Sequence, residues 1–432
     1  MKEALVQTFQ NLWAHKLRSF LTMFGILWGV ISVVILSATG EGFRQGNERV
    51  LKELGKNIAI VWGGRTSKQV GGERAGRRIV LTADDARTIQ AQSRLTRVAT
   101  PELQRGGLRV KSAFNAASPQ VHGIEPSYQL IRTIDIEAGR HFNWEDERGE
   151  HRVAIVGADI AKQLFAGRDP VGQPVIINGL GYTVVGKIRH KEQDSNYSGP
   201  DNDKVFVPFA TMARDFPIPD AMVPGQVSNI IVAPHEWVVD DLPRQLAERT
   251  GKIRDIDWAL EKDVRTVLAH RKGFDPDDTE AMWMWDTSVN SLMFGRMVDT
   301  MRNFFTTVGF ITLALGGIGV MNIMLIAVKE RTREIGVRKA LGATTGAVLR
   351  QFFMEGFFIT ILSGSIGLGV ALAICAAINL LPMPERFVGM VLSPQAAALT
   401  VFSLVVIGIV TALYPARRAA EMPPVEALRY EM

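Results

Sequence analysis

The 432-residue sequence holds one cysteine, Cys375. No disulfide can form within the chain, so each folded part must be held by its own core. There is no HExxH, no GxSxG and no nucleophile paired with a base, so no enzyme is expected. No internal repeat is visible. The run Gly181-Tyr-Thr-Val-Val-Gly186-Lys187 imitates a phosphate-binding loop but lacks its physics. Ile188 follows where a hydroxyl would be needed for Mg²⁺, and Tyr-Thr-Val-Val is a strand pattern. His190, Glu192 and Asp194 alternate as ligands on a strand would, but one histidine with two acids is thin for zinc. No metal site and no bound cofactor are expected.

Charge is missing from four long stretches. A bilayer core of about 30 Å needs roughly 20 apolar helical residues. Ser19–Gly40, Phe304–Val328 and Gly356–Leu381 carry no charge, and Val388–Arg417 is uncharged as far as Ala416, with Pro415 expected to close it. Each exceeds the roughly 7–15-residue apolar core of a cleaved signal. Gly25 and Gly29 form a GxxxG, and Gly316, Gly317 and Gly319 cluster, as do Gly364, Gly367 and Gly369. Such residues permit close helix contact, within the chain or with a second subunit. Asn322 is the polar exception within a span, and a helix–helix hydrogen bond is expected of it.

The short segments give the orientation, because basic residues stay on the cytoplasmic side. Those segments hold 12 basic and 7 acidic residues, while residues 41–303 hold 36 of each. The whole excess of +5 therefore lies on one side. Both termini and the 329–351 loop are placed in the cytoplasm and the large domain outside. The excess is explained by topology, which removes nucleic acid as a partner. Leu5, Phe9, Leu12, Trp13 and Leu17 follow helical spacing, so residues 1–18 read as an amphipathic helix on the inner leaflet.

The outward segment mixes strands and helices. Ile58–Trp62, Val153–Val156, Val175–Ile177, Tyr182–Val185, Val205–Val207 and Ile230–Val232 read as strands. Leu81–Ser93, Gly157–Leu164 and Leu242–Thr250 read as helices, the first with Thr82 as N-cap. Residues 63–78 read as a mobile loop and 275–286 as another. Apolar stripes flanking the first two spans predict that both extend outward as helical stalks. The expected fold is four transmembrane α-helices, both termini inside, with a large α+β extracytoplasmic domain inserted between helices 1 and 2. Its divisions are 1–18 amphipathic, 19–40 first span, 41–303 outer domain, 304–328 second span, 329–351 loop, 352–381 third span, 382–391 outer loop, 392–416 fourth span and 417–432 tail.

The 329–351 loop is the most informative segment. Glu330/Glu334 and Glu334/Arg338 lie four residues apart on a helix. Ile335, Ala340 and Leu341 offer it an apolar side, and Gly342 is placed to stop it. A short charged helix between two spans stands where a cytoplasmic partner could push on both.

The run Gly-Gly-Ile-Gly-Val-Met-Asn from Gly316, then Lys-Glu-Arg-Thr-Arg-Glu-Ile-Gly-Val-Arg-Lys-Ala-Leu-Gly-Ala ending at Ala343, resembles the permease signature of MacB/FtsX/LolC-E-type ABC transporters. The tail Tyr414-Pro-Ala-Arg-Arg-Ala-Ala and the stretch from Pro424 to Arg429 are similar too. So is the outward pattern from His122-Gly-Ile-Glu-Pro through Asp169-Pro-Val-Gly172 to Val184-Val-Gly186, which resembles a MacB-like periplasmic core. No Walker motif precedes the first span, so the sequence resembles the split arrangement, with the ATPase on a separate polypeptide.

The resemblance implies a bacterial inner-membrane permease that forms a homodimer or heterodimer and binds separate ABC ATPase subunits carrying ATP and Mg²⁺. A periplasmic adaptor, an outer-membrane channel and membrane lipids are further implied partners. It implies a coupling helix over about Glu330–Leu341, with Glu330, Arg331, Arg333, Glu334, Ile335, Arg338, Lys339, Leu341 and Gly342 as the coupling residues. Gly25, Gly29, Gly316, Gly319 and Asn322 are the expected packing residues. The implied mechanism is mechanotransmission serving efflux. The alternatives are an FtsX-like permease activating an extracytoplasmic partner, or lipoprotein release.

Overall fold

The computed structural model describes residues 16–54, 57–191, 197–247, 258–384 and 387–423. The expected amphipathic helix lies almost wholly outside them. So do Glu192, Asp194 and the Pro424–Arg429 motif. The chain divides into two compact units, residues 1–46 with 295–432, and residues 47–294.

The first unit holds four helices apolar and long enough to cross a membrane, among the described residues. They belong to the elements Lys16–Leu54, Thr287–Glu330, Thr345–Ile378 and Pro394–Glu421. The first two have 39 and 44 residues, about twice the length a bilayer needs. Each runs unbroken from the membrane unit into residues of the other unit.

Lipid tails are as apolar as leucine, so these helices associate through close backbone approach rather than hydrophobic transfer. A Cβ on Gly316 would fall 2.7 Å from the carbonyl carbon of Gly25, and one on Gly29 would fall 2.8 Å from Leu313 Cγ. Gly367 similarly faces the Leu27 carbonyl oxygen, and Gly356 faces Ala412. Around them pack Ile26, Val30, Val34, Val320, Met324, Phe352 and Ile407.

Two expected packing residues meet nothing within the chain, and one expectation is corrected. Gly319 has no atom within 4 Å of the Cβ it would carry, so it makes no helix contact within the chain. Asn322 is exposed and makes no helix–helix hydrogen bond among the described residues. Pro415 does not end the fourth helix, which continues to Glu421. The proline forfeits one hydrogen bond to the turn before it, but Ala412, Ala416, Ala419 and Ala420 are buried on either side of it and the chain stays helical past it.

The second unit is built on one 12-stranded sheet. Its strands are β1 Ala59–Gly63, β2 Thr96–Arg105, β3 Val110–Lys111, β4 Ala116–Ala117, β5 Gln120–Ile124, β6 Ile136–Gly139, β7 Val153–Val156, β8 Pro174–Ile177, β9 Leu180–Ile188, β10 Lys204–Pro208, β11 Asn229–Pro234 and β12 Met282–Asp286. The order is β12-β1-β11-β2-β5-β10-β7-β9-β8-β3-β4, with β6 paired to β9. Side chains alternate between faces. Ala59, Val205, Val207, Ile230 and Val232 enter one core, while Ile60, Phe206 and Ile231 enter the other. Burial on both faces explains why these strands read as continuous apolar runs.

The second core carries a buried ionic network. Asp201 lies 3.1 Å from Arg132, 3.1 Å from Lys204 and 3.4 Å from Lys191. Glu102 accepts from Tyr128 at 2.9 Å and Asn229 at 2.8 Å, and lies 2.6 Å from His122 Nδ1. Burial pushes the Glu102 carboxyl up, but the bond to His122 and nearby charge outweigh it and hold the group at about 2. Burial likewise pulls the His122 imidazole down, helped by the Lys204 charge.

The two expected loops are more ordered than the composition suggested. Part of 275–286 is β12, paired antiparallel along the whole of β1. In 63–78, the Ser67 and Lys68 amides donate to Asp278 Oδ2 at 2.7 and 3.1 Å, and Thr66 Oγ1 accepts from the Arg77 amide.

Candidate functional site

The loop helix spans Thr332–Ala340. Glu330 still belongs to the second long helix, and Arg331 forms the break between the two. That shortens the expected Glu330–Leu341 helix by two residues at its start and one at its end. Gly342, at φ +100°, closes it. Its amide donates to the Lys339 carbonyl at 3.1 Å and the Ala343 amide to that of Arg338 at 3.0 Å. This pair of bonds satisfies the last carbonyls and requires a left-handed residue, which glycine supplies without strain. Thr344 then caps the third long helix.

The charged side chains of the loop helix reach its neighbours. Arg331 meets Glu355 at 3.4 Å. Arg338 donates to Gln351 Oε1 at 2.9 Å and to Glu334 Oε1 at 2.7 Å. Lys339 Nζ donates to the carbonyls of Ala420 at 2.6 Å and Met422 at 2.8 Å. Ile335 is buried in one cluster with Val348 and Phe352. The loop helix is therefore continuous in chain with the second long helix, ion-paired and packed against the third, and bonded to the end of the fourth.

What remains outward differs from the expected set. Glu330, Arg333, Glu334, Val337, Ala340, Leu341 and Gly342 are exposed, with Val337 at 42% and Leu341 at 83%, whereas Arg331, Ile335, Arg338 and Lys339 are buried or half-buried. The expected apolar side of Ile335, Ala340 and Leu341 is divided, since Ile335 points inward and Leu341 outward. Val337 was missed by sequence reading. Its signal was the four-residue step to Leu341, which places both on one helix face. An exposed valine on a charged helix and an exposed leucine at its end, backed by three spans, make a small outward apolar knob.

The second long helix presents another outward line. Met297, Met301, Phe304, Val308, Ile311, Leu315 and Ile318 are all exposed. They recur at alternating four- and three-residue steps, which end at Asn322.

Where the second long helix meets the sheet domain, one side chain bonds a single backbone residue twice. Thr287 Oγ1 donates to the Ile58 carbonyl at 2.9 Å and accepts from the Ile58 amide at 3.0 Å. The start of the second long helix is thus fixed to the residue just before β1.

Gly181–Lys187 lies within β9, a strand paired on both sides. No cluster of three metal-ligating side chains occurs among the described residues.

Residues 19–242 match the family described as MacB-like periplasmic core domain, and residues 306–424 match the FtsX-like permease C-terminal family. The chain is 31% identical to the macrolide export ATP-binding/permease protein MacB of Bdellovibrio bacteriovorus, over 100% of this chain and 62% of the relative. It is 28% identical to the uncharacterized ABC transporter permease YknZ of Bacillus subtilis, over 99% of both. The chain thus spans about three fifths of the length of the MacB relatives it matches. The periplasmic region of MacB from Actinobacillus actinomycetemcomitans aligns with a TM-score of 0.40 at 18% identity, covering 56% of this chain and 94% of that one.

Proposed function

The chain belongs to the MacB/FtsX-type family of ABC transporter permeases, and from that membership we propose that it relays ATP-driven motion from an ATPase to its extracytoplasmic domain in the service of efflux. The supporting observation is the loop helix, which bonds to its neighbouring long helices on one side and exposes Val337 and Leu341 on the other. An ATPase domain on a separate polypeptide, carrying ATP and Mg²⁺, docks on that knob. Its motion passes to the long helices through Arg331–Glu355, Arg338–Gln351 and Lys339–Ala420. The first and second long helices carry it outward without a break.

The protein sits in the bacterial inner membrane and works as a pair of copies. The exposed Met297–Asn322 line supports the pairing. Its four-three spacing is that of a helix seam, and Asn322 finds its missing hydrogen bond across the two-fold. A periplasmic adaptor and an outer-membrane channel would extend the efflux route.

Hydrolysis by the purified chain tests the split arrangement. The chain alone is expected to hydrolyse no ATP and to do so only with its ATPase added. Turnover by the chain alone would overturn the reading.

A further inference from the structure

We propose that the outer domain binds a small organic cation in a cleft walled by Glu147, Glu125 and Trp144. The cleft encloses about 610 Å³, within the range of sites that hold small organic molecules. Gln90 and Ala99 lie on its other walls.

Glu147 is 91% buried, and its two oxygens differ. Oε1 accepts from the Ala210 amide at 2.9 Å. Oε2 is buried and has no hydrogen-bond partner. An unmet buried carboxylate oxygen is costly, and this one belongs to the lining of an open cleft. Glu125 lines the same cleft, accepts a long bond of 3.3 Å from Thr100 Oγ1 and is met by the Ser127 side chain.

Of the cations lining the cleft, Arg87 pairs with Asp84 at 2.7 Å and also acts by charge on Glu125 and Glu147, and Arg148 Nε donates to the Trp144 carbonyl at 3.0 Å. The third acid there, Glu150, pairs with Arg214 at 2.7 Å. The unmet group is an acceptor, so the occupant must bring a donor, and a positive one answers the two carboxyls together. Trp144, 49% exposed on the cleft wall, offers an indole to the apolar body or charge of that ligand.

The wall is held in place before any ligand arrives. Asn143 caps the Trp144–Arg148 helix by accepting from the Glu145 and Asp146 amides, and Asp146 is gripped by Arg140 at 2.5 Å. An ammonium ligand would meet a preset carboxyl and ring, at little ordering cost. The cleft would bind its cation whether or not the chain works in export.

Phenethylammonium is the probe, titrated calorimetrically into the full chain in detergent at pH 8, with 2-phenylethanol as its uncharged counterpart. Saturable one-to-one binding of the amine is expected, with the alcohol at least about tenfold weaker. Glu147→Gln should weaken the amine about tenfold or more, and Trp144→Ala about fivefold. Absence of saturable amine binding, equal binding of the alcohol, or undiminished affinity in either folded variant would overturn the proposal. If Glu147→Gln fails to fold, Trp144→Ala decides it.

Discussion

Lys339 Nζ donates to the backbone carbonyl of Ala420 at 2.6 Å, so a cation of the loop helix caps the far end of the fourth long helix. Helix ends leave carbonyls unpaired and carry partial negative charge, which a lysine meets on both counts. The bond joins parts of the chain 81 residues apart.

Lys339→Met keeps the aliphatic stem and removes the donor. The helix end should fray, with amides of residues 416–421 exchanging about fivefold faster, for a loss of about 1 kcal/mol. Amides of residues 352–360 should be unaffected. Hydrogen exchange read by mass spectrometry checks this, and unchanged exchange at 416–421 would show that the bond carries no restraint.

Gly316 and Gly319 offer a contrast within one turn. Gly316→Leu would drive side-chain atoms into the backbone at Gly25 and Ile26, forcing the first two spans apart and costing about 3 kcal/mol or more. Gly319→Leu meets open space within the chain. Expression and melting of the two variants in detergent should separate them clearly. Equal tolerance would mean that the Gly25–Gly316 approach does not hold the spans.

Much of this architecture was legible in the sequence, because long uncharged runs and strands buried on both faces leave strong marks. Val153–Val156 was read to the residue, and Thr82 stands at the start of its helix as its position suggested. The misses have physical causes. Thr96–Arg105 alternates weakly, since Thr100 and Glu102 are polar yet buried in a network that only the fold assembles. Met282–Asp286 looked like a loop because its Trp and Met residues follow a run of acids and a proline, yet it borders β1 as an edge strand. In the loop helix, charge pattern gave the element but not its facing. Arg331, Arg338 and Lys339 reach intrachain partners that are 13 to 83 residues distant, which no local spacing announces.

Asp201→Asn tests the buried network. It would leave Arg132, Lys204 and Lys191 in the core with one carboxylate fewer, and breaking such a set typically costs about 3–5 kcal/mol. The outer domain should lose cooperative melting in circular dichroism, while the helical signal of the spans persists. A melting curve like the wild type's would show the cations to be compensated elsewhere.

Glu147 makes stability depend on pH in the opposite sense to a paired acid. Burial, with the Glu125 charge adding to it, raises its carboxyl to about 7, against the resistance of the Ala210 and Phe209 amides and Arg87. A folded pKa above the unfolded value of 4.5 gives stability that is full below pH 4.5 and lost as pH rises through 7. Glu147→Gln should therefore raise the outer domain's melting temperature at pH 8.5 and change it little at pH 4.5. A larger gain at pH 4.5 would reverse the sign and refute the assignment.

The central claim is that Val337 and Leu341 form the knob on which an ATPase docks. The direct measurement compares the wild-type chain with Val337→Glu/Leu341→Glu, each purified from native membranes, for the amount of ABC ATPase retained and for ATP turnover. Both positions are exposed, so the double variant should fold normally. Loss of the ATPase and of turnover by about tenfold or more is predicted. Undiminished retention and turnover would place the docking surface elsewhere and contradict the account.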